Sequence, residues 1–196
     1  VNPAGFHGLG QLPGFFGRTG NGYIQNNDFV IQTTNHHSNG AVQLSNFRSV
    51  DLSGHNVFHF FTPSLIPPGH GGFSLTNLDY STIQDNEFYN FSALPYSGTN
   101  SINASVNNAI CCNKTYGLST GLTLSNAVTS TSTFKQNEMF DNSVGLRLAI
   151  NCAIGDQIDH GNIWTGVSRV AQYVNINTGN NKFYASQAQN TSQKSF

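Results

Sequence analysis

Few residues in this chain can do chemistry. Its 196 residues hold nine carboxylates, eight Lys or Arg and seven His, for a formal charge of −1. His36-His37 could meet His55 and His59 to hold Zn²⁺ or Cu²⁺ through neutral imidazoles. No carboxylate stands beside them as an orienting partner, and no metal is expected. Asp156, Asp159 and His160 with Arg147 and Arg169 make either a small polar site or a charged turn. Twenty serines come without a Gly-x-Ser-x-Gly elbow. The Gly-rich stretch 8–22 lacks the Lys-Ser/Thr ending of a phosphate loop. Cys111, Cys112 and Cys152 have no CxxC spacing, which argues against zinc. They are read either as one disulfide, from Cys111 or Cys112 to Cys152, or as three buried apolar thiols. No catalytic residue and no cofactor is assigned.

Tyrosines remain as ligand-contacting residues. With Asn, Ser and Thr around them they can build a flat face that stacks on sugar rings and bonds hydroxyls. Tyr89 and Tyr96, in the stretch between Phe88 and Asn108, are the candidate ligand-binding pair. The alternative is that most of these rings are partly buried packing residues. Four Asn-x-Ser/Thr sites, at Asn90, Asn103, Asn113 and Asn190, are expected by chance in so Asn-rich a chain.

The elements that must position these residues follow from composition and repetition. Asn, Ser and Thr number 26, 20 and 16, with 20 Gly and 15 Phe, while charged residues are 9%. This excludes a helical bundle, a coiled coil and charged disorder, and it supplies enough aromatic residues for a packed interior. No apolar run reaches the ~18 residues of a membrane helix, and no basic footprint for nucleic acid is present. The partners expected are therefore glycans or neighbouring copies of the same or a related protein, with no nucleic acid and no membrane insertion.

Three segments repeat: Ile24-Gln-Asn-Asn27-Asp-Phe29, Ile83-Gln-Asp-Asn86-Glu-Phe88 and Phe134-Lys-Gln-Asn137-Glu-Met-Phe140. Looser copies carry Asn56, Asn108, Asn162 and Asn181. A second motif recurs as Leu44-Ser-Asn-Phe47, Leu75-Thr-Asn-Leu78 and Leu124-Ser-Asn-Ala127. A period in the twenties predicts a solenoid, with an antiparallel sandwich as the runner-up. Apolar alternation at Tyr23/Ile24, Val42/Leu44, Val50/Leu52, Phe73/Leu75, Leu122/Leu124 and Leu146/Leu148 predicts strands. The Asn at each bend is expected to tolerate a left-handed backbone and to hydrogen-bond to its copy in the next coil. An inward column is expected at Phe29, Phe58, Phe88, Ile110, Phe140, Trp164 and Phe183. Asp28, Glu87 and Glu138 follow their Asn directly and share one outward position, with Val57 and Ala109 in the coils between. Those acids would be two coils apart, ~10 Å, too far for one Ca²⁺.

On these residues the sequence, over roughly 22–183, resembles the right-handed parallel β-helices of the pectate-lyase-like superfamily. The stretch Val144-Gly-Leu-Arg-Leu through Ile154-Gly-Asp-Gln-Ile-Asp-His-Gly-Asn-Ile-Trp164 is similar to large secreted β-helix proteins of Bacteroidota. The resemblance implies a secreted or cell-surface protein and, for most members, no assigned enzymatic activity. The superfamily's pectin hydrolases carry Asn-Thr-Asp, Asp-Asp, Gly-His-Gly and Arg-Ile-Lys. Here only Gly69-His70-Gly71 is present, which reads as a loop histidine without an acid or base to assist.

The expectation is thus an all-β, right-handed parallel β-helix of about seven coils over residues 22–185. Residues 1–21 form a cap or a preceding coil, and residues 186–196 a polar tail. Loops 33–39, 62–72 and 89–105 project from it. The expected role is non-catalytic: a structural or adhesive segment, with filament assembly open to it. A polysaccharide lyase or hydrolase, or a glycan-binding module, is the alternative.

Overall fold

The computed structural model describes residues 6–7, 19–32, 42–61, 72–90, 96–103, 107–125, 133–149, 152, 154, 160–167 and 169–174. All elements among them are strands, and all pairings are parallel. The chain is a parallel β-solenoid. Its smaller sheet stacks β3 (Asp28–Gln32), β5 (Val57–Phe61), β8 (Glu87–Asn90), β11 (Lys114–Tyr116), β14 (Glu138–Phe140) and β16 (Ile163–Thr165) in chain order.

The larger sheet holds two walls joined by one long strand, β4 (Val42–Leu52). The end of β4 pairs with β7 (Thr82–Gln84), followed by β10 (Ala109–Cys111) and β13 (Thr133–Lys135). The start of β4 pairs with β6 (Phe73–Asp79), followed by β9 (Tyr96–Asn103), β12 (Leu118–Ser125), β15 (Val144–Ala149) and β17 (Arg169–Val174). Two N-terminal strands, β1 (Phe6–His7) and β2 (Thr19–Tyr23), also pair with β4.

Seven coils are not supported, because the smaller sheet is six strands deep among the described residues. Asn181 and Phe183, on which the seventh coil was placed, lie outside them. The expected loop 89–105 is also corrected, since it contains the end of β8 and all of β9.

An asparagine ladder runs along the corner before the smaller sheet. Each Nδ2 donates to the Oδ1 one coil on: Asn27 to Asn56 (2.9 Å), Asn56 to Asn86 (2.8 Å), Asn86 to Asn113 (2.9 Å), Asn113 to Asn137 (3.0 Å) and Asn137 to Asn162 (3.1 Å). The same Nδ2 groups also donate to carbonyls of the preceding coil, those of Ile24, Leu52, Ile83 and Ile110. Asn56, Asn86, Asn113 and Asn137 are therefore buried without stranding a polar group.

Asn113, not the expected Asn108, is the fourth rung. The steps become 29, 30, 27, 24 and 25, which is more even than a path through Asn108. Asn108 serves a different corner, where its Oδ1 accepts from Ser81 N–H and its Nδ2 donates to the Leu78 carbonyl. Ser81 does the same duty one coil earlier, accepting from Val50 N–H through its hydroxyl.

The left-handed residue at each bend is the one before the ladder Asn, not the Asn itself. Asn26, His55, Asp85, Cys112, Gln136 and Gly161 all have φ between 54° and 67°. Ser49, Tyr80 and Asn107 repeat this before Val50, Ser81 and Asn108, and Gly117, Asp141 and Gly166 do so at a third corner. The strained turn and the buried amide thus fall on neighbouring residues, because one side chain must leave the coil while the next enters it. In the second sequence motif Asn46 and Asn77 are also left-handed, with their exposed amides bonded at 2.8 Å.

Side chains two positions after each ladder Asn point inward. The column is Phe29, Phe58, Phe88, Thr115, Met139 and Trp164. Phe29, Phe58 and Phe88 stack at 4.6 and 4.7 Å, and Phe73 packs edge-on against the last two. Ile110 and Phe140 are corrected: Ile110 is buried in another wall, and Phe140, three positions after Asn137, faces outward. The apolar pairs Val42/Leu44, Val50/Leu52, Phe73/Leu75, Leu122/Leu124 and Leu146/Leu148 are buried as expected, whereas in the first pair Tyr23 is exposed and Ile24 only partly buried.

No disulfide forms: Cys111, Cys112 and Cys152 are all free. Cys111 is buried and donates toward Gln84 Oε1 at 3.4 Å, and Cys152 is enclosed in the core. Burial first, and then a hydrogen bond with Cys112, push the Cys111 thiol up to about 11. Burial pushes Cys152 up to about 12. A thiol reagent should therefore modify half-buried Cys112 in the native protein and all three cysteines only after denaturation. Complete reaction at the native rate of Cys112 would contradict this placement.

Candidate functional site

The outer face of the smaller sheet brings rings and charges together. Strand alternation leaves two outward columns, one and three positions after each ladder Asn. The first column is Asp28, Val57, Glu87, Lys114, Glu138 and Ile163. The shared outward position of Asp28, Glu87 and Glu138 is thus as expected, but Lys114, not Ala109, sits between the two glutamates. The second column is Val30, His59, Tyr89, Tyr116, Phe140 and Thr165. Four consecutive rings, those of His59, Tyr89, Tyr116 and Phe140, therefore line up along the solenoid axis at the strand spacing of about 4.8 Å.

The centre of this face is tied together. The Tyr89 hydroxyl donates to Glu87 Oε2 at 2.6 Å. Glu87 Oε1 receives Lys114 Nζ at 3.4 Å and lies 3.9 Å from His55 Nδ1. Burial acts to raise the Glu87 carboxyl, but the Tyr89 hydroxyl and the Lys114 ammonium together outweigh it and hold it below the ordinary value. Tyr89 is pushed up to about 12 by burial and by the bond to Glu87. Tyr89 is thus a neutral ring in fixed orientation. His59 lies over it, with ring centroids 6.2 Å apart, and its Nε2 is 3.2 Å from Asp28 Oδ1. Tyr116 is 42% exposed and has the most open ring of the four.

Beside the first column an open groove of about 490 Å³ follows the corner, lined by Asn26, Gly54, His55, Asp85, Glu87, Cys112 and Lys114. Asp85 and Glu87 are its two carboxylates. A general acid at neutral pH needs a raised carboxyl, and Glu87 is moved the other way. Glu87 and Glu138 stand two strands apart, ~10 Å, with Lys114 between them.

The two predicted tyrosines lie on strands of different sheets. Tyr89 is in the smaller sheet, whereas Tyr96 begins β9 in the larger one, paired with Leu118. The side chain of Tyr96 lies outside the described residues. Sequence reasoning missed Tyr116, Phe140 and His59. Counting three positions from Asn113 and Asn137 would have placed Tyr116 and Phe140 beside Tyr89. Exposed Tyr23 and Tyr80 lie elsewhere, with Arg48 over the Tyr80 ring at 4.7 Å.

His36, His37, His70, Asp156 and Asp159 lie outside the described residues. Among the described residues, no group of three or more His, Cys, Asp or Glu is placed to hold a metal. Asn90 and Asn113 are buried in hydrogen-bonded columns, which removes both as glycan acceptors in the folded chain. Against known proteins, no family model, no curated sequence and no solved structure matches this chain.

Proposed function

We propose that this chain is a non-catalytic adhesive segment of a secreted or cell-surface protein, and that the outer face of its smaller sheet holds a glycan chain. The observation that carries this reading is the axial column His59, Tyr89, Tyr116 and Phe140 on a flat parallel sheet. Aromatic faces stack on the C–H faces of sugar rings, and flanking carboxylates, ammonium and amides bond the hydroxyls. A glycan laid along the axis meets a ring at each step of about 4.8 Å. The all-parallel architecture supports kinship with the pectate-lyase-like β-helices, and such crossovers wind right-handed in about 98% of cases.

Affinity electrophoresis through gels containing a panel of polysaccharides tests the reading. The native chain should be retarded by at least one glycan. Tyr116→Ala and Phe140→Ala should each weaken that binding by roughly tenfold, about the energy of one well-placed aromatic contact. Unretarded migration through every gel would reject the glycan face. New reducing ends released from a bound polysaccharide would reject the non-catalytic assignment.

A further inference from the structure

We infer that the glycan recognised by this face carries protonated amino groups, as an oligosaccharide of unacetylated amino sugars does. The inference rests on the glycan-binding reading above and names its ligand class. Around the ring column and its groove, the described residues present four carboxylates, Asp28, Asp85, Glu87 and Glu138, against one ammonium, Lys114. Lys114 is already committed to Glu87. Asp28 faces His59, which neutralises it only when protonated. Glu138 has no ion-pair partner among the described residues and stands one strand from Lys114.

Position makes Glu138 the discriminating group. It precedes Phe140 by two residues on β14, so the carboxylate column and the ring column run side by side, roughly 7 Å apart. A sugar ring lying on Tyr116 and Phe140 places its ring substituents over the carboxylate column. An ammonium there meets an open carboxylate, whereas a carboxylate or sulfate there meets like charge. Uronic-acid and sulfated glycans are thereby disfavoured. With so few fixed charges on the chain, screening by salt should be readily measured.

Calorimetric titration with three hexasaccharides at low ionic strength separates the possibilities: glucosamine, N-acetylglucosamine and galacturonate oligomers. The glucosamine oligomer should bind roughly fivefold to tenfold more tightly than its acetylated counterpart, the size two exposed ion pairs supply. Glu138→Gln should reduce that preference to about threefold or less. Added salt should erode the preference and leave the neutral oligomer's affinity alone. Equal affinity for amine and acetylated oligomers, with both lost in Tyr116→Ala, would overturn the amine inference and leave the glycan face standing. Tightest binding of the galacturonate oligomer would overturn it too. No binding of any of the three, in a chain also unretarded by every gel, would remove the glycan face itself and this inference with it.

Discussion

Asn113→Ser should destabilise the protein by about 3 kcal/mol, whereas Asn108→Ser should cost about 1 kcal/mol or less. The side chain of Asn113 accepts from the Asn86 amide and the Asn86 backbone N–H, and donates to Asn137 Oδ1 and the Ile83 carbonyl. A serine hydroxyl is too short to keep both directions. Its loss leaves the Asn86 N–H and the Ile83 carbonyl without their side-chain partner in a dry interior, at about 1–3 kcal/mol for each group left unsatisfied. The corner of Asn108 already accepts a serine, since Ser81 caps Val50 N–H there. Chemical denaturation midpoints at constant slope would check the pair. Equal losses at the two positions would show that the ladder does not run through Asn113.

Gly121→Ala should cost about 3 kcal/mol, near the upper end for overpacking a core. A methyl group there would lie 2.6 Å from Thr115 Oγ1, 2.7 Å from the Gly145 carbonyl oxygen and 3.0 Å from Met139 Sδ. The carbonyl belongs to the backbone of the neighbouring strand and has no rotamer by which to retreat. Thr115→Ala in the same chain should therefore recover only part of the loss. It would also strip a hydroxyl that accepts from Asn142 Nδ2 at 2.8 Å and lies 3.1 Å from Met139 Sδ. Thermal unfolding of the single and double variants measures both effects, and a Gly121→Ala midpoint equal to that of the native chain would refute the contact.

These positions share a physical origin. The ladder steps shorten from 29 and 30 residues to 24 and 25 toward the C-terminus. Where the steps are long, the inward column is filled by stacked Phe29, Phe58 and Phe88. Where they shorten, it takes Thr115 and Met139 before Trp164 ends the described column, and Gly121 lets the walls close on Thr115 and Met139. A glycine inside a strand signals such close approach, but nothing local in Leu-Ser-Thr-Gly-Leu states which atoms come near.

Much was legible before any coordinates. The near-identical segments around Asn27 and Asn86 specified a solenoid, and period-two apolar pairs specified its strands. Hydrophobic pattern is local, so strands could be read off directly. Phasing was not local. Asn108 and Asn113 are five residues apart, both buried and both hydrogen-bonded, and only pairing across coils assigns them to different corners. In the third repeat Met139 and Phe140 both fit an inward column, and a slip of one residue sends a side chain to the opposite face.

The same slip hid the candidate site. Tyr89 could be named from sequence, but Tyr116 lies 27 residues further on and Phe140 another 24 beyond it, and they carry no shared motif. Composition and periodicity pointed to an all-β solenoid with asparagine corners and a phenylalanine stack, and the resemblance implied that its strands are parallel. Tertiary structure alone decided which asparagines form one column, that no disulfide joins the cysteines, and that four rings share one outer face. Each of those outcomes depends on register between strands more than twenty residues apart, and register is set by the packed coil as a whole rather than by any segment of it.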